Sequence, residues 1–134
     1  MMDTNAVLRT YLLTQPCAIL VTNRIYCPRA PQDAAVPNIT FFTRGGRGTP
    51  YIPDLPYPSV QIDVWAADPL TARTIYISMH KSLQGLQNQV VAIGADTFHI
   101  SSAIEEVHGQ DLVDVDIPNR FRVLSYWEII VKEV

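Results

Sequence analysis

The chain has 134 residues, a length that predicts a single domain spanning residues 1–134. Hydrophobic residues make up 48% of it and charged residues 17%, which excludes a disordered protein because the chain has the apolar residues that a core needs. The formal net charge of −3 argues against a protein that binds a nucleic-acid backbone, since such binding needs a clustered excess of Lys and Arg.

Export and membrane signals are missing from the sequence. The longest apolar runs, such as Cys17 to Val21, are far too short to span a bilayer. The first residues lack the basic segment that opens a signal peptide. We therefore expect the protein to fold in a cytoplasm, without a membrane partner, and to keep Cys17 and Cys27 as reduced thiols.

The first third of the chain predicts one amphipathic helix followed by an ordered loop. Asp3 or Thr4 can cap the helix, and Pro16 prevents its continuation. Its apolar residues recur at helical spacing and are Val7, Leu8, Tyr11 and Leu12. The segment Ile19 to Pro37 contains three prolines, which deny it regular strand pairing over most of its length, so we interpret it as an ordered loop.

Two strands are predicted in the middle of the chain. The segment Asn38 to Arg44 is rich in β-branched and aromatic residues, and Ser59 to Ala67 alternates apolar and polar residues. One face of the second strand is predicted to be apolar and carries Val60, Ile62, Val64 and Ala66. Its opposite face carries Ser59, Gln61, Asp63 and Trp65.

The loop between these strands, Gly45 to Pro58, predicts a projecting arm. It holds three glycines and four prolines, and loops of this length without secondary structure are uncommon and often functional. Side chains suited to binding a partner lie in and beside it: Arg44, Arg47, Tyr51 and Tyr57. The alternative is a mobile surface loop that has no partner.

A second helix is predicted directly after the second strand, with Asp68 as its N-cap and Pro69 at its first position. We expect its apolar stripe to pack into the core. This stripe consists of Ala72, Ile75, Tyr76, Met79, Leu83 and Leu86. The opposite face is predicted to be solvated and carries Arg73, Ile77, His80, Lys81 and Gln84.

Two more strands are predicted over Phe98 to Val107 and Arg120 to Val131, joined by residues 109–119. The apolar run Val90 to Ile93 is too short for periodicity to distinguish a strand from a helix tail. The order of elements predicts an α+β fold, in which an antiparallel sheet of about four strands carries two helices packed on one face. Short connections favour antiparallel neighbours, and both helices need a common surface.

The other face of this sheet is then left uncovered. We expect it to carry a mixed polar and aromatic set that suits a protein partner. The set consists of Gln61, Asp63, Trp65, His99, Ser101, Arg122, Tyr126 and Glu128. Simple exposure to water is the alternative interpretation.

The sequence predicts no catalytic residues, no cofactor and no metal site, so we interpret the protein as a non-enzyme. It has no Gly-x-Ser-x-Gly motif, and its glycine-rich segment from Arg44 lacks the Lys-Ser/Thr ending of a nucleotide-binding loop. Glu105, Glu106 and His108 are near one another, but a zinc site needs three or four close ligands and no second cluster is present. The histidines His80, His99 and His108 are interpreted as surface or partner-contact residues.

Several short motifs occur in the same order as in one phage structural family. They are Arg24-Ile25-Tyr26, Ala30-Pro31-Gln32, Val36-Pro37 and Val60-Gln61-Ile62-Asp63-Val64-Trp65-Ala66, followed by the helix that Asp68 caps. Together with the early amphipathic helix, these motifs span nearly the whole chain. The chain resembles the tail terminator, or tail completion, proteins of long-tailed bacteriophages, which act in head-tail joining.

The resemblance implies a structural protein of the virion, located at the head-proximal end of the tail and assembled in the host cytoplasm. It would form a six-membered ring that caps the tail tube, ends tube polymerisation and provides the docking surface for the head connector. The implied partners are other copies of the chain, the tail tube protein and the head connector protein, with DNA passing through the ring without specific binding. The residues predicted for these interfaces are Arg24, Tyr26, Gln32, Arg44, Arg47, Tyr51, Gln61, Asp63 and Trp65.

Three alternatives stay open at this point. Another head-tail joining component, such as a connector or stopper, would share the same features. A nucleic-acid-binding module would use the uncovered sheet face with Arg44 and Arg47, and a small enzyme would use a pocket that a sequence does not reveal. The long proline-rich loop Gly45 to Pro58 departs from the family pattern, and the tube, the connector and the neighbouring subunit are all candidates for its contact.

Overall fold

Three helices and six strands make up the part of the chain that the computed structural model describes, which is residues 3–31, 34–47, 57–113 and 120–133. The side chains of Arg47, Val113 and Glu133 lie outside this description. The helices are α1 (Thr4–Leu13), α2 (Pro16–Leu20) and α3 (Pro69–Leu83). The strands are β1 (Ile25–Tyr26), β2 (Asn38–Arg47), β3 (Tyr57–Ala66), β4 (Gln87–Ile93), β5 (Asp96–Val113) and β6 (Phe121–Glu133).

The two predicted helices begin at the predicted caps. The Asp3 side chain accepts a hydrogen bond from the backbone N–H of Asn5 at 3.0 Å, so it satisfies one free donor of the first turn of α1. Asp68 caps α3 in the same way, through the N–H of Leu70 at 3.2 Å, and Pro69 follows at the first helical position. Both predictions are confirmed.

All six strands belong to one sheet, in the order β1, β2, β3, β6, β5, β4. β1 runs parallel to β2, and all other neighbours are antiparallel. The predicted fold, an antiparallel sheet of about four strands with two helices, is therefore wrong. The described part of the chain forms a mixed sheet of six strands with three helices. The sequence pattern missed β1 because it has only two residues and lies within a proline-rich segment.

The sheet curls into a half-barrel around the helices. α1 contacts β1 at one edge of the sheet and β4 at the other edge. In a flat sheet of six strands these edges would lie about 24 Å apart, about twice the diameter of one helix. The curling lets one short helix close the core between both edges, an arrangement that the order of elements alone did not predict.

The core lies between the helices and the concave face of the sheet. The apolar face of β3 that the alternation predicted, including Val60, Ile62 and Val64, is fully buried there. The predicted stripes of α1 and α3 are buried in the same cluster, except Leu86, which follows the end of α3 and is only partly buried. The largest fully buried side chains are Trp127, Tyr76, Phe41, Leu8 and Leu12.

Several strands extend past their predicted boundaries, and the longest extensions are at the ends of β2 and β5. β2 continues to Arg47 through a register shift between Thr43 and Gly46, where a Cβ on Gly46 would overlap the Tyr57 carbonyl oxygen. β5 continues to Val113 and so includes residues 109–113, which were predicted to connect two strands. The run Val90 to Ile93, left undecided by its pattern, lies in β4. Of the predicted arm, residues 48–56 lie outside the described part of the chain.

Within the described residues, no helix has both the length and the apolar character that crossing a membrane requires.

Candidate functional site

The convex face of the sheet, opposite the helices, brings together several of the predicted interface residues. The pairing of β3 with β6 places Trp65 opposite Arg122 and Gln61 opposite Tyr126. The residues that we call the outer sheet face are Arg44, Gln61, Asp63, Trp65, Arg122 and Tyr126. His99 and Ser101, also predicted for this face, belong to β5, where His99 lies opposite Lys132.

Two arginine–aromatic contacts hold the outer sheet face together. The Arg44 guanidinium lies 4.0 Å from the centre of the Tyr126 ring, and the Arg122 guanidinium lies 5.2 Å from the centre of the Trp65 ring. The Trp65 indole N–H also donates to the Thr40 hydroxyl at 3.0 Å, which fixes the plane of the indole ring. These contacts hold the aromatic rings in defined orientations, and no helix of the described residues covers them.

Asp63 is a buried acid in the middle of this face. The residue is only 4% exposed. Its Oδ2 atom accepts a hydrogen bond from the Gln61 side-chain amide at 3.0 Å. Its Oδ1 atom has no donor among the described residues. Burial raises the pKa of Asp63, opposed by the Gln61 hydrogen bond and the charge of Arg122. The Oδ1 atom is an unpaired acceptor with almost no exposed surface, so a donor from another molecule reaches it only after the side chains around it move.

The remaining predicted interface residues lie elsewhere. Arg24 donates from Nε to the Pro37 carbonyl at 2.9 Å, which ties the start of β1 to the start of β2. Tyr26 ends β1 opposite Thr40 and is half-buried. Gln32 and Tyr51 lie outside the described residues, and of Arg47 only the backbone, at the end of β2, is described.

A second polar cluster lies on the concave side, where α3 crosses β5. The Oε1 atom of Glu105 is 2.8 Å from Nδ1 of His108 and 3.5 Å from Nε2 of His80. The Tyr76 hydroxyl donates to Oε2 of the same carboxylate. One carboxylate therefore contacts two imidazoles through one oxygen and a tyrosine through the other. We call these four residues the histidine cluster.

One bulge in β5 makes this cluster geometrically possible. Residues 105 and 108 of a regular strand point to opposite faces, because side chains alternate. The pairing of β5 with β6 shifts register between Glu105 and Val107, and this one extra residue brings Glu105 and His108 to the same face, toward α3. The Glu106 side chain lies on the other face of the sheet, where it accepts a hydrogen bond from the Ser59 hydroxyl at 2.7 Å.

Close packing fixes the tyrosine of the histidine cluster. The N–H of Gly109 donates to the Tyr76 hydroxyl at 3.0 Å, and a Cβ on Gly109 would lie only 2.7 Å from the Tyr76 ring. Arg73 donates to the Gly109 carbonyl at 3.0 Å and lies 5.2 Å from the centre of the Tyr76 ring. Burial, together with the Glu105 carboxylate, raises the pKa of Tyr76, so its hydroxyl stays a proton donor at neutral pH.

An open cleft of about 450 Å³ adjoins the cluster. His80 and Glu105 form part of its wall, together with the turn that leads from α3 into β4 and with residues 102–104 of β5. His108 lies beside them and has a side chain 66% exposed. The cluster is therefore accessible from solvent, even though the Glu105 side chain is 11% exposed.

Sequence reasoning did not identify the histidine cluster. It placed Arg73 and His80 on a solvated face of α3, whereas Arg73 binds Gly109 and His80 packs against the buried Trp127 with 5.5 Å between ring centres. The signal available in the sequence was the spacing of Tyr76 and His80. Residues four apart in a helix are neighbours on the same side of it. Pairing them with Glu105 needed the register of β5, which the alternation pattern does not contain.

The comparisons with known proteins identify no relative: no family model matches the chain, and no curated protein matches it.

Proposed function

We propose that this chain is a structural protein of a bacteriophage tail, which forms a six-membered ring, caps the tail tube, ends tube polymerisation and offers the docking surface for the head connector. The proposal rests on the ordered motifs that resemble tail terminator proteins. The single structural observation that supports it best is the outer sheet face, which presents oriented aromatic rings and a buried acceptor without a covering helix among the described residues.

The composition of the outer sheet face suits contact with another protein subunit. Arginine and aromatic residues are enriched in protein interfaces and supply much of their binding energy. The buried carboxylate of Asp63 lacks a donor at Oδ1 within the described chain, and a buried acceptor without a partner destabilises a protein by about 1 to 3 kcal/mol. Assembly would remove this cost where the side chains that cover Oδ1 move and a backbone or side-chain donor of the neighbouring copy takes their place.

A closed ring needs two different surfaces, because each subunit meets its neighbour head to tail. The helical side supplies a second candidate surface. Ile19 of α2 is 80% exposed, and Leu70 and Ile77 of α3 are 77% and 48% exposed. Leu70 and Ile77 are seven residues apart and lie on one side of α3. We propose that these apolar side chains pack onto the outer sheet face of the neighbouring subunit.

The same outer sheet face does not favour binding to nucleic acid. Asp63 lies at its centre and Glu106 beside it, and carboxylates repel a phosphate backbone. Its two arginines contact aromatic rings of their own chain. The proposal for this face is therefore a protein partner.

The direct test is to delete the gene from the phage that encodes the chain. We expect tail tubes of uncontrolled length that fail to join filled heads. Tails of normal length would contradict the terminator role, and normal tails that fail to join heads would assign the chain to a stopper or connector instead. The purified chain, with and without tail tubes, should be measured by light scattering after size exclusion and by negative-stain imaging, where we expect six-membered rings.

A further inference from the structure

The geometry of the histidine cluster points to a metal site. We propose that His80, Glu105 and His108 bind one divalent transition-metal ion, for which Zn²⁺ is the expected occupant. The donor atoms of the three side chains all lie within 4.8 Å of one another. This proposal concerns the concave side of the sheet and does not depend on the proposed role in the phage tail.

Both distances to the shared Glu105 oxygen fit a tetrahedral ion after a small movement of one side chain, and the two imidazole nitrogens lie within 4.8 Å of each other. Ligand atoms about 2.0 to 2.1 Å from a tetrahedral zinc ion lie about 3.3 Å from each other. The distance from His80 Nε2 to Glu105 Oε1 is 3.5 Å, close to this value. The distance from His108 Nδ1 to the same oxygen is 2.8 Å and has to lengthen by about 0.5 Å. Most of the His108 side chain is exposed, so it has room for this movement, which replaces the 3.1 Å contact of its Nδ1 atom with the Tyr76 hydroxyl by the metal bond.

The surroundings orient the carboxylate as the second shell of a metal site does. The Tyr76 hydroxyl binds Oε2 of Glu105 and so directs Oε1 toward both imidazoles. The N–H of Gly109 in turn holds the tyrosine oxygen. Such hydrogen bonds fix the rotamers of the ligand side chains before the ion binds. Metal binding therefore costs less side-chain entropy.

The donor set selects the class of ion. Two imidazoles and one carboxylate suit zinc and neighbouring transition metals, whereas Mg²⁺ and Ca²⁺ prefer oxygen ligands and larger coordination numbers. Three protein ligands leave one position of a tetrahedral ion open. Because His80 and Glu105 border the cleft, we expect a water molecule from this cleft to complete the coordination.

The ion would join two elements that are distant in sequence. His80 belongs to the last turn of α3, while Glu105 and His108 belong to the bulged part of β5. An ion bound to the folded state and not to the unfolded chain stabilises the fold in proportion to the logarithm of its concentration. We therefore expect Zn²⁺ to raise the melting temperature as well as to bind.

The test is calorimetric titration of the full chain, freed of metal with a chelator, with zinc chloride alone. A Cys27→Ser background removes the half-buried thiol as a competing ligand. We expect one Zn²⁺ per chain and no comparable binding of Mg²⁺. Removing a residue that only orients a metal ligand weakens metal binding by roughly 10- to 100-fold. His108 is itself a proposed ligand, so His108→Ala should weaken zinc binding by more than this.

The third histidine provides the matched control. His99 lies on β5 opposite Lys132 and outside the histidine cluster, so His99→Ala should leave the zinc affinity unchanged. Substitution of Co²⁺ should give the visible absorption of a tetrahedral site in the control variant and lose it in His108→Ala. Failure of zinc to bind, or an equal loss of affinity in His99→Ala and His108→Ala, would overturn the proposal. Neither result would change the expected ring, which is measured separately.

Discussion

The Tyr76 hydroxyl donates to Oε2 of Glu105 and accepts from the backbone N–H of Gly109, so a buried tyrosine joins α3 to the bulged part of β5. The hydrogen bond to Glu105 leaves Oε1 of the carboxylate facing His80 and His108. One residue of a helix stripe thus serves both the core, through its ring, and the histidine cluster, through its hydroxyl. This double role couples the stability of the fold to the proposed metal binding at Tyr76.

Tyr76→Phe is expected to keep the fold and to weaken zinc binding by roughly 10- to 100-fold, because the ring stays in the core while Glu105 loses its orienting donor. Loss of the hydrogen bond should also lower the free energy of unfolding by about 1 to 3 kcal/mol. Tyr11→Phe is the control, since the Tyr11 hydroxyl donates to the Ser82 carbonyl at 2.6 Å, outside the cluster. Tyr11→Phe should reduce stability without changing zinc affinity. Calorimetric titration and urea unfolding measure the two effects, and equal zinc affinities in both variants would contradict the positioning role.

Gly109→Ala is expected to destabilise the protein by about 1 to 3 kcal/mol through overpacking. The new Cβ would lie 2.7 Å from the Tyr76 ring and 2.7 Å from Cγ1 of Val123, both of which are buried. Gly94→Ala offers a comparison, because no atom lies within 4 Å of its added Cβ and only its positive φ of 61° opposes the change. Thermal unfolding compares the two variants. Gly109→Ala should also reduce the zinc affinity, whereas Gly94→Ala should not. A Gly109→Ala protein of unchanged stability would show that the contact with Tyr76 is not tight.

Asp63→Asn is expected to stabilise the isolated subunit at neutral pH by about 1 to 3 kcal/mol, because it removes a buried charge whose Oδ1 atom has no donor among the described residues. Burial raises the pKa of Asp63 above its ordinary value of 3.8, so the folded state binds this proton more tightly than the unfolded chain does. The charge therefore costs no stability below the unfolded pKa, and its cost appears as the pH rises through the folded pKa.

Urea unfolding of Asp63→Asn and of the natural sequence over a range of pH measures this difference. The gain from the substitution should be largest at neutral pH and should vanish in acid. A gain that is independent of pH would show that the charge is not its cause.

Arg44→Glu is expected to prevent ring formation while it changes the stability of the isolated subunit by no more than about 1 kcal/mol, the order of one exposed contact between an arginine and an aromatic ring. Arg44 is exposed and contacts the Tyr126 ring. Arg29→Glu is the matched control, with the same charge change at an exposed arginine between β1 and β2. Light scattering should show rings for Arg29→Glu and single subunits for Arg44→Glu.

A mixing experiment tests the head-to-tail arrangement of the proposed ring. Ile77→Asp should damage the helical surface and leave the outer sheet face intact, whereas Arg44→Glu does the reverse. Each variant alone should remain a single subunit. A mixture should form dimers and no rings, because one intact pair of surfaces remains between the two variants. Rings in the mixture, or no association at all, would contradict the proposed pairing of surfaces.

Local signals predicted much of the fold, and non-local pairing accounts for what they missed. Asp3, Asp68 and Pro69 marked the helix starts, since caps act within one turn of the chain. The alternation along β3 predicted its buried face, because side chains of any strand alternate. The two-residue strand β1 and the closure of both sheet edges by α1 carry no such local pattern, so the number of strands and the curvature were not predicted.

The candidate sites divide in the same way. The sequence by itself determined which residues share the outer sheet face on β3, because Gln61, Asp63 and Trp65 are spaced by two along one strand. Only the tertiary structure decided that Asp63 is buried there and that His80, Glu105 and His108 meet on the opposite side. The physical reason is that burial and clustering depend on the register between strands, and the bulges of β5 change that register without altering the residue pattern that a sequence shows.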